Sequence, residues 1–559
     1  LLVSFASSSR IYSMNLLNRY ISITSNAGMI GSLLVLAACG GGGGGGSSTS
    51  SAVNQGATPT PTSESSGSTF VAGNFQPSSV FKDSCGSPRA NTASDSFPDM
   101  QGSFEDEGYW LRSWSNETYL WYDEIQDRDP SFYATSSEGV LEYFDLLKTE
   151  ETTPSGNPKD RFHFTRDTAE YEAESQQGIT FGYGATYQLI SSSPPRELVI
   201  VLVNKNSPAA DAGLRRGDRI VTVDGVDLVD GSDTETLNSG LWPDRVDEEH
   251  SFEVLDPTTS EIRTVTMESA QINTDAVPKT QILETDSGPV GYLLFTDHIL
   301  TAEQQLVDAI TEMRDSNVTD LVLDLRYNRG GYLYLANQIS YMIAGAGVGG
   351  KTFSSLEFNE KNPGVNPVTG GTVSPNPFLT TTTENALPAG STLPTLELPR
   401  QRVFVLTTNS TCSASEAIIN GLRGVDIEVI QFGSTTCGKP YGFYPQDNCG
   451  TTYFTTQFRS VNAAGFGDYP DGFSPANSSE STVGITLPGC QAVDDFSPLG
   501  EITEPMLAAA LAYRENGGQC SEASSQATTR GIVSSLNRDS LIGPKGNFPG
   551  NMYIRPPDG

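Results

Sequence analysis

Two side chains in the C-terminal half of this 559-residue chain are spaced to do acyl-transfer chemistry: Ser413 and Lys439. The stretch Thr411-Cys412-Ser413-Ala414-Ser415-Glu416-Ala417-Ile418-Ile419 reads as a strand end turning into a helix. The apolar run Ile427-Glu428-Val429-Ile430-Gln431-Phe432 follows, and then Cys437-Gly438-Lys439-Pro440. One βαβ unit therefore sets a hydroxyl at a helix N-terminus and returns an amine beside it, the arrangement a serine nucleophile with a lysine base requires. A lysine base must be neutral near pH 7. That needs a shift of roughly 3 units, about 4 kcal/mol, from its reference pKa, and hence burial away from water. The uncharged neighbours Cys437, Gly438, Pro440 and Tyr441 permit such burial. The competing structural reading of Ser413 is an N-cap, since Ser413-x-x-Glu416 also fits a capping box. Glu416 is read chiefly as part of that cap. For Ser413 both roles are compatible, because a helix N-terminus stabilises a developing oxyanion.

The elements that must position this pair alternate strand with helix. Val290–Phe295, Leu321–Leu325 and Val403–Leu406 read as strands, and residues 301–315 and 333–343 as helices. This is an α/β layer pattern. The segment 350–400, rich in Gly, Pro and Thr, reads as a long insertion loop.

Upstream the character changes. Residues 100–170 hold aromatic-rich helical pieces, and residues 178–270 read as β. There, Glu197–Val203 is a β-branched run, Pro208 suits a first helical turn, Gly213 a helix C-cap, and Asp224-Gly225 a tight hairpin.

The string Ser207–Gly225 resembles a PDZ domain of bacterial proteases. Phe181, Gly182, Tyr183 and Gly184 occupy the place where such domains hold a carboxylate-binding loop. Asp324-Leu325-Arg326-Tyr327-Asn328-Arg329-Gly330-Gly331 resembles the D-L-R-x-N-x-G-G signature of the C-terminal processing (tail-specific) peptidases, and Ser413-Ala414-Ser415-Glu416 with Gly438-Lys439 completes the resemblance. What it implies is a ClpP/crotonase-like α/β protease core with an inserted PDZ-like β domain and a small N-terminal helical domain. The expected boundaries are 86–175 for the helical domain, 176–272 for the PDZ-like domain, 280–515 for the peptidase core and 516–559 for a loose tail. The resemblance makes Ser413, not Ser415, the nucleophile and Lys439 the base. It builds the oxyanion hole from a backbone N–H of Gly330 or Gly331 with that of Ala414, and leaves Asp324, Arg326 and Asn328 as struts. One departure is visible: many relatives carry glutamine four residues after the lysine, where this chain has Phe443, and Gln446 or Gln457 are the available substitutes. His298 is an alternative base without a matching signature around it.

Composition bounds the rest. The chain has 33 Lys+Arg against 67 Asp+Glu, a net charge of −34, which repels phosphate backbones and argues against nucleic-acid partners. The 3 histidines form no metal-binding spacing, so no metal or other cofactor is expected. Acidic residues between Asp227 and Asp233 read as a solvated loop. Leu36-Ala37-Ala38-Cys39 after a short apolar run resembles a bacterial lipobox, with residues 1–39 as signal peptide, Cys39 lipidated and 40–85 a Gly/Ser/Thr/Pro tether. That implies a lipoprotein of the cell envelope, on the outer membrane, acting on proteins or peptides. Six further cysteines suggest disulfides, with Cys437–Cys449 and Cys85–Cys520 as the suggested pairs. The alternative function is a catalytically inactive PDZ-type peptide-binding lipoprotein. A crotonase-like enzyme of another class lacks an acyl-CoA signature.

Overall fold

The computed structural model describes residues 69–520, apart from 93, 94, 244, 384, 387 and 479–483, together with the strand Asn551–Tyr553. The proposed signal, lipobox Cys39 and tether lie outside the described residues, as does most of the expected tail.

A six-stranded sheet organises the C-terminal half. Its order is Lys279–Leu283, Val290–Leu294, Asp320–Asp324, Arg402–Thr407, Glu428–Gly433 and Gly489–Gln491. The first pair is antiparallel and the rest are parallel. The central strands are apolar on both faces because both faces are covered. Leu321, Leu323, Val403, Val405 and Val429 join one core with the helices Ala302–Asp315, Leu333–Ala344 and Ala414–Arg423. Val322, Phe404, Leu406, Ile430 and Phe432 join the other, closed by Met506, Leu507 and Ala510 of the helix Pro505–Glu515.

The PDZ-like sheet runs Ile262–Glu268, Glu249–Leu255, Arg219–Val223, Glu197–Val203, Ala185–Ser191. The expected hairpin is present: Asp224 and Gly225 both have positive φ, between Arg219–Val223 and Val226–Asp227. Ser207 caps the short helix Pro208–Asp211.

The N-terminal helices Phe104–Thr118 and Ser137–Asp145 bury Trp110, Trp114 and Phe144 against one another and against Tyr453 of the C-terminal half. The strand Phe164–Asp167 pairs with Thr451–Phe454. The helical part is thus built onto the core rather than standing beside it.

Two expectations are corrected. Residues 350–400 are not all loop: Thr352–Phe358 is a strand paired with Phe458–Asn462. The cysteines pair as Cys85–Cys449, Cys412–Cys437 and Cys490–Cys520, not as Cys437–Cys449 and Cys85–Cys520. Cys85 reaches Cys449 because the segment before the first helix lies across the turn at Asp447 and Asn448, where Lys82 and Asp83 also bond. Proximity in sequence could not reveal that.

Candidate active site

Ser413 sits directly before the helix Ala414–Arg423 with φ 62° and ψ −112°. A non-glycine residue in that region is strained, and such strain persists only where surrounding structure enforces it. The enforcement comes from the Asp324–Gly331 turn. Thr408 and Thr411 donate their hydroxyls to the carbonyls of Arg326 and Leu325. Cys412 N–H and Ser415 Oγ both donate to the carbonyl of Asn328, at 3.1 Å each. Ser415 is thereby a fastener, while the Ser413 side chain takes no part in these bonds.

The Ser413 hydroxyl is not spent as a helix cap. Its Oγ is buried and has no hydrogen-bond partner among the described residues. The carboxylate half of the expected box does form: Glu416 Oε2 accepts the N–H of Ser413 at 2.9 Å. The same Oε2 accepts the N–H of Lys439 at 2.8 Å, and Oε1 accepts Gly438 N–H at 2.8 Å and the hydroxyl of Thr436 at 2.5 Å. Glu416 therefore does more than cap: it holds the backbones of nucleophile and lysine one oxygen apart. Burial pushes its pKa up, against the hydrogen bonds from Thr436, Lys439, Ser413 and Gly438. The Cys412–Cys437 bridge closes the same two segments a second time. Gly438 has φ 83°, and a Cβ there would lie 2.3 Å from the carbonyl oxygen of Pro470, so only glycine lets this loop pass.

Lys439 is 0% exposed. Its ammonium nitrogen lies 4.2 Å from the ring centroid of Phe443 and 4.7 Å from that of Phe162. Burial drives its pKa well below the ordinary lysine value, opposed in part by Asp160 and Glu416. Phe443, at the expected glutamine position, thus supplies a dry wall instead of a hydrogen bond. Neither substitute glutamine turns to the lysine: Gln457 bonds Tyr444 N–H and Thr118, and Gln446 bonds the carbonyl of Asp447. Phe162 and Asp160 come from the helical part and were not singled out in the sequence. Their distance along the chain left no local signal.

Asp324, Arg326 and Asn328 form a buried network around the glycine turn. Asp324 and Arg326, both 0% exposed, pair at 2.9 Å, and Arg326 also holds Glu504 at 2.8 Å and 3.0 Å. Tyr292 donates to Asp324 at 2.7 Å. Asn328 Oδ1 accepts Gly330 N–H and meets His298 Nδ1, both at 2.9 Å, while its amide donates to the carbonyl of Phe295 at 3.0 Å. This has two consequences. The N–H of Gly330 is committed to Asn328, whereas that of Gly331 faces the edge on which the strand Asn551–Tyr553 pairs. And since Oδ1 is an acceptor, His298 is protonated on Nδ1, leaving Nε2 bare. Among the described residues His298 Nε2 and Ser413 Oγ each lack a partner, so they are not bonded to one another. Desolvation pulls the His298 pKa down to about 3.

Gly331, with φ 139°, lies against the backbone of His298, where a Cβ would come within 2.5 Å of the His298 oxygen. His298 N–H donates to Gly330 C=O and Tyr332 N–H donates to His298 C=O. Because strand residues alternate in direction, the N–H and C=O of Gly331 face the opposite edge.

In the PDZ-like part, Tyr183 is a core residue whose hydroxyl donates to the carbonyl of Gly240 at 3.0 Å, while Phe181 is 49% exposed. Gly182 and Gly184 have φ of 131° and 75°, which form the turn leading into Ala185–Ser191. The four residues thus comprise a buried anchor, an exposed ring and two glycines that bend the chain.

Fold and site together define an α/β core with a PDZ-like domain upstream of the segments that carry Ser413 and Lys439. Residues 289–445 match peptidase family S41, and residues 199–237 match the PDZ domain family. In these two regions the chain is similar to peptidase family S41 and to PDZ domains. It is 28% identical over 162 residues to the carboxyl-terminal-processing peptidase 2 of Arabidopsis thaliana chloroplasts, covering 28% of this chain and 30% of that one. It is 24% identical over 224 residues to the carboxy-terminal processing protease CtpB of Bacillus subtilis, covering 39% of this chain and 45% of that one. The matched regions span less than half of each of these relatives. An S41 protease structure from Bacteroides fragilis superimposes with a TM-score of 0.54 at 21% identity, covering 77% of this chain and all of that one, and agrees in fold.

Proposed function

We propose that this chain is a serine endopeptidase of the cell envelope that hydrolyses protein or peptide substrates with Ser413 as nucleophile and Lys439 as general base. One observation carries the reading. A fully buried amine, walled by two phenylalanine rings, shares a carboxylate oxygen through its backbone with a strained serine whose hydroxyl is not used for capping. In the proposed reaction the Ser413 side chain turns towards Lys439, which takes the hydroxyl proton as Oγ attacks the scissile carbonyl. The oxyanion is received by the N–H groups of Gly331 and Ala414, aided by the N-terminus of the nucleophile helix. The ammonium of Lys439 then protonates the leaving amine. The neutral amine that remains activates water to release the acyl group. Asp324, Arg326 and Asn328 hold the glycine turn, and Glu416 holds Ser413 to Lys439.

Substrate selection is assigned to the PDZ domain. Its strand Ala185–Ser191 ends the sheet, so an extended peptide can add there while the turn 182–184 receives its terminal carboxylate. Location follows the lipobox reading: Cys39 anchors the chain to the outer membrane. Cys39→Ser should move the protein from the membrane to the soluble fraction, and unchanged membrane association would remove that part of the proposal.

A second reading, a catalytically inactive PDZ lipoprotein, draws on the unbonded Ser413 Oγ and on phenylalanine at position 443. The deciding experiment incubates wild type, Ser413→Ala, Lys439→Ala and His298→Ala with an unfolded protein. The peptidase reading expects cleavage by wild type and a fall of at least about 10⁴-fold in kcat for the first two. An intact substrate in every case favours the inactive reading.

A further inference from the structure

The strand Gly330–Tyr332 has two edges, and both are occupied. His298 takes one, through its bonds to Gly330 and Tyr332. The other, which the N–H and C=O of Gly331 face, pairs in parallel with Asn551–Tyr553, in the register Gly330–Asn551, Gly331–Met552 and Tyr332–Tyr553. The same segment runs beside Tyr441–Gly442, which follows Lys439 by two residues, and the nucleophile helix packs on the glycine strand. An extended backbone thus lies along the strand that carries the Gly331 amide and beside the residues that follow the base. Peptide backbone on that edge is what a substrate would present, because strand addition satisfies the edge's hydrogen bonds whatever the side chains.

We propose that this edge is the docking surface for extended peptide and that Asn551–Tyr553 is its built-in occupant, a competitive plug that incoming substrate must displace. The proposal rests on the peptidase reading for its meaning, since the edge is assigned through the Gly331 oxyanion amide, but not for its test. A tethered occupant competes at a high effective concentration without strong intrinsic affinity. Its removal should therefore lower KM and leave kcat unchanged.

The first measurement is binding, made in a Ser413→Ala background so that no turnover intervenes. A fluorescent peptide copying residues 546–559 carries a terminal amide, which removes the carboxylate a PDZ domain would hold. Its anisotropy is followed on the full chain, on a chain ending at Cys520 (which keeps the Cys490–Cys520 bridge), and on the full chain with Asn551→Pro, Met552→Pro and Tyr553→Pro. The expected result is affinity at least about tenfold higher for the truncated and proline chains than for the full chain. Equal affinity for all three overturns the proposal, as does absence of binding to the truncated chain. The second measurement is cleavage of a quenched-fluorescent peptide by the same chains with Ser413 restored. A fall in KM of similar size on truncation supports the plug, and an unchanged KM overturns it. Intact-mass analysis showing wild type cut within 551–553 would make the segment a substrate instead and also overturn it. Tight peptide binding to the truncated chain with no cleavage by any chain would overturn the peptidase reading and leave the docking edge standing.

Discussion

In the proposed mechanism Lys439 couples activity to stability through one proton. The folded chain disfavours the ammonium, whereas the unfolded chain binds it up to the reference value of about 10.4. Below its depressed folded pKa the lysine is protonated in both states, and the full cost of burying its charge is present. As pH rises from there towards 10.4 the unfolded state holds the extra proton, so stability increases with pH. Lys439→Met, similar in shape and uncharged, should therefore abolish cleavage while raising Tm. The difference in stability from wild type should shrink as pH rises, as chemical denaturation at several pH values would reveal. The kcat/KM of wild type should rise on an acid limb well below the ordinary lysine pKa as the base loses its proton. A flat profile would mean that Lys439 is not the base. His163 behaves in the opposite pH range. It is buried between the carbonyl of Phe144 and Thr455, near Asp160, Asp145 and Lys148, and burial lowers its pKa to about 4. Its contribution is fully present above pH 6.5 and is lost as pH falls from 6.5 to about 4, amounting to about 3 kcal/mol. Acid unfolding of His163→Gln should be less steep through that window.

At the scale of elements, the site is a junction between a helix N-terminus and a returning loop, fastened by a carboxylate and a disulfide. In the proposed mechanism Glu416 is a positioning residue, accepting from four donors on the segments that carry Ser413 and Lys439. Glu416→Gln replaces an acceptor oxygen by a donor nitrogen and should separate Ser413 from Lys439. A loss in kcat of about 10²-fold is expected, with KM little changed. Glu416→Ala leaves buried donors unmet, each costing about 1–3 kcal/mol, and should destabilise the chain outright. Replacing both Cys412 and Cys437 by serine tests the second fastener. The expected result is a fold that persists, since Glu416 still bridges the segments, with lower kcat; activity equal to wild type would show the bridge to be dispensable for alignment.

At the scale of the molecule, the PDZ domain is wired to the glycine turn through charge. Arg216 of the PDZ domain pairs with Asp494 and donates to the carbonyls of Ser497 and Val201 at 2.8 Å and 3.0 Å. Asp494 also meets Tyr327 and lies 3.3 Å from Arg326. Burial alone would raise the Asp494 pKa, but Arg326 and Arg216 outweigh it and hold it below the ordinary range. Asp494→Asn removes the shared charge and leaves Arg216 nearly buried and unpaired, for an expected loss of about 3 kcal/mol in unfolding free energy. Because Arg326 also shapes the turn before Gly331, kcat should fall as well. Wild-type kcat with reduced stability would limit the pair to docking.

The order of apolar runs and punctuation determined the fold class. Val290–Leu294, Asp320–Asp324, Arg402–Thr407 and Glu428–Gly433 are nearly continuous apolar strands, legible because burial on both faces leaves no polar alternation to confuse them. The serine, the lysine, the glycine turn and the PDZ hairpin were likewise legible, since each depends on local backbone chemistry within a few residues. What closes around them was not. Phe162 and Asp160 reach Lys439 from the helical part, Glu504 and Asp494 reach Arg326 from beyond the catalytic loop, and Cys85 reaches Cys449 across most of the chain. The commitment of Gly330 N–H to Asn328, and the arrival of Asn551–Tyr553 on the glycine strand, also depend on which edges the packed sheets leave open. Local patterning selects elements and turns, but burial, pairing and the dryness that sets a lysine's charge are properties of neighbours brought together only when the chain has folded.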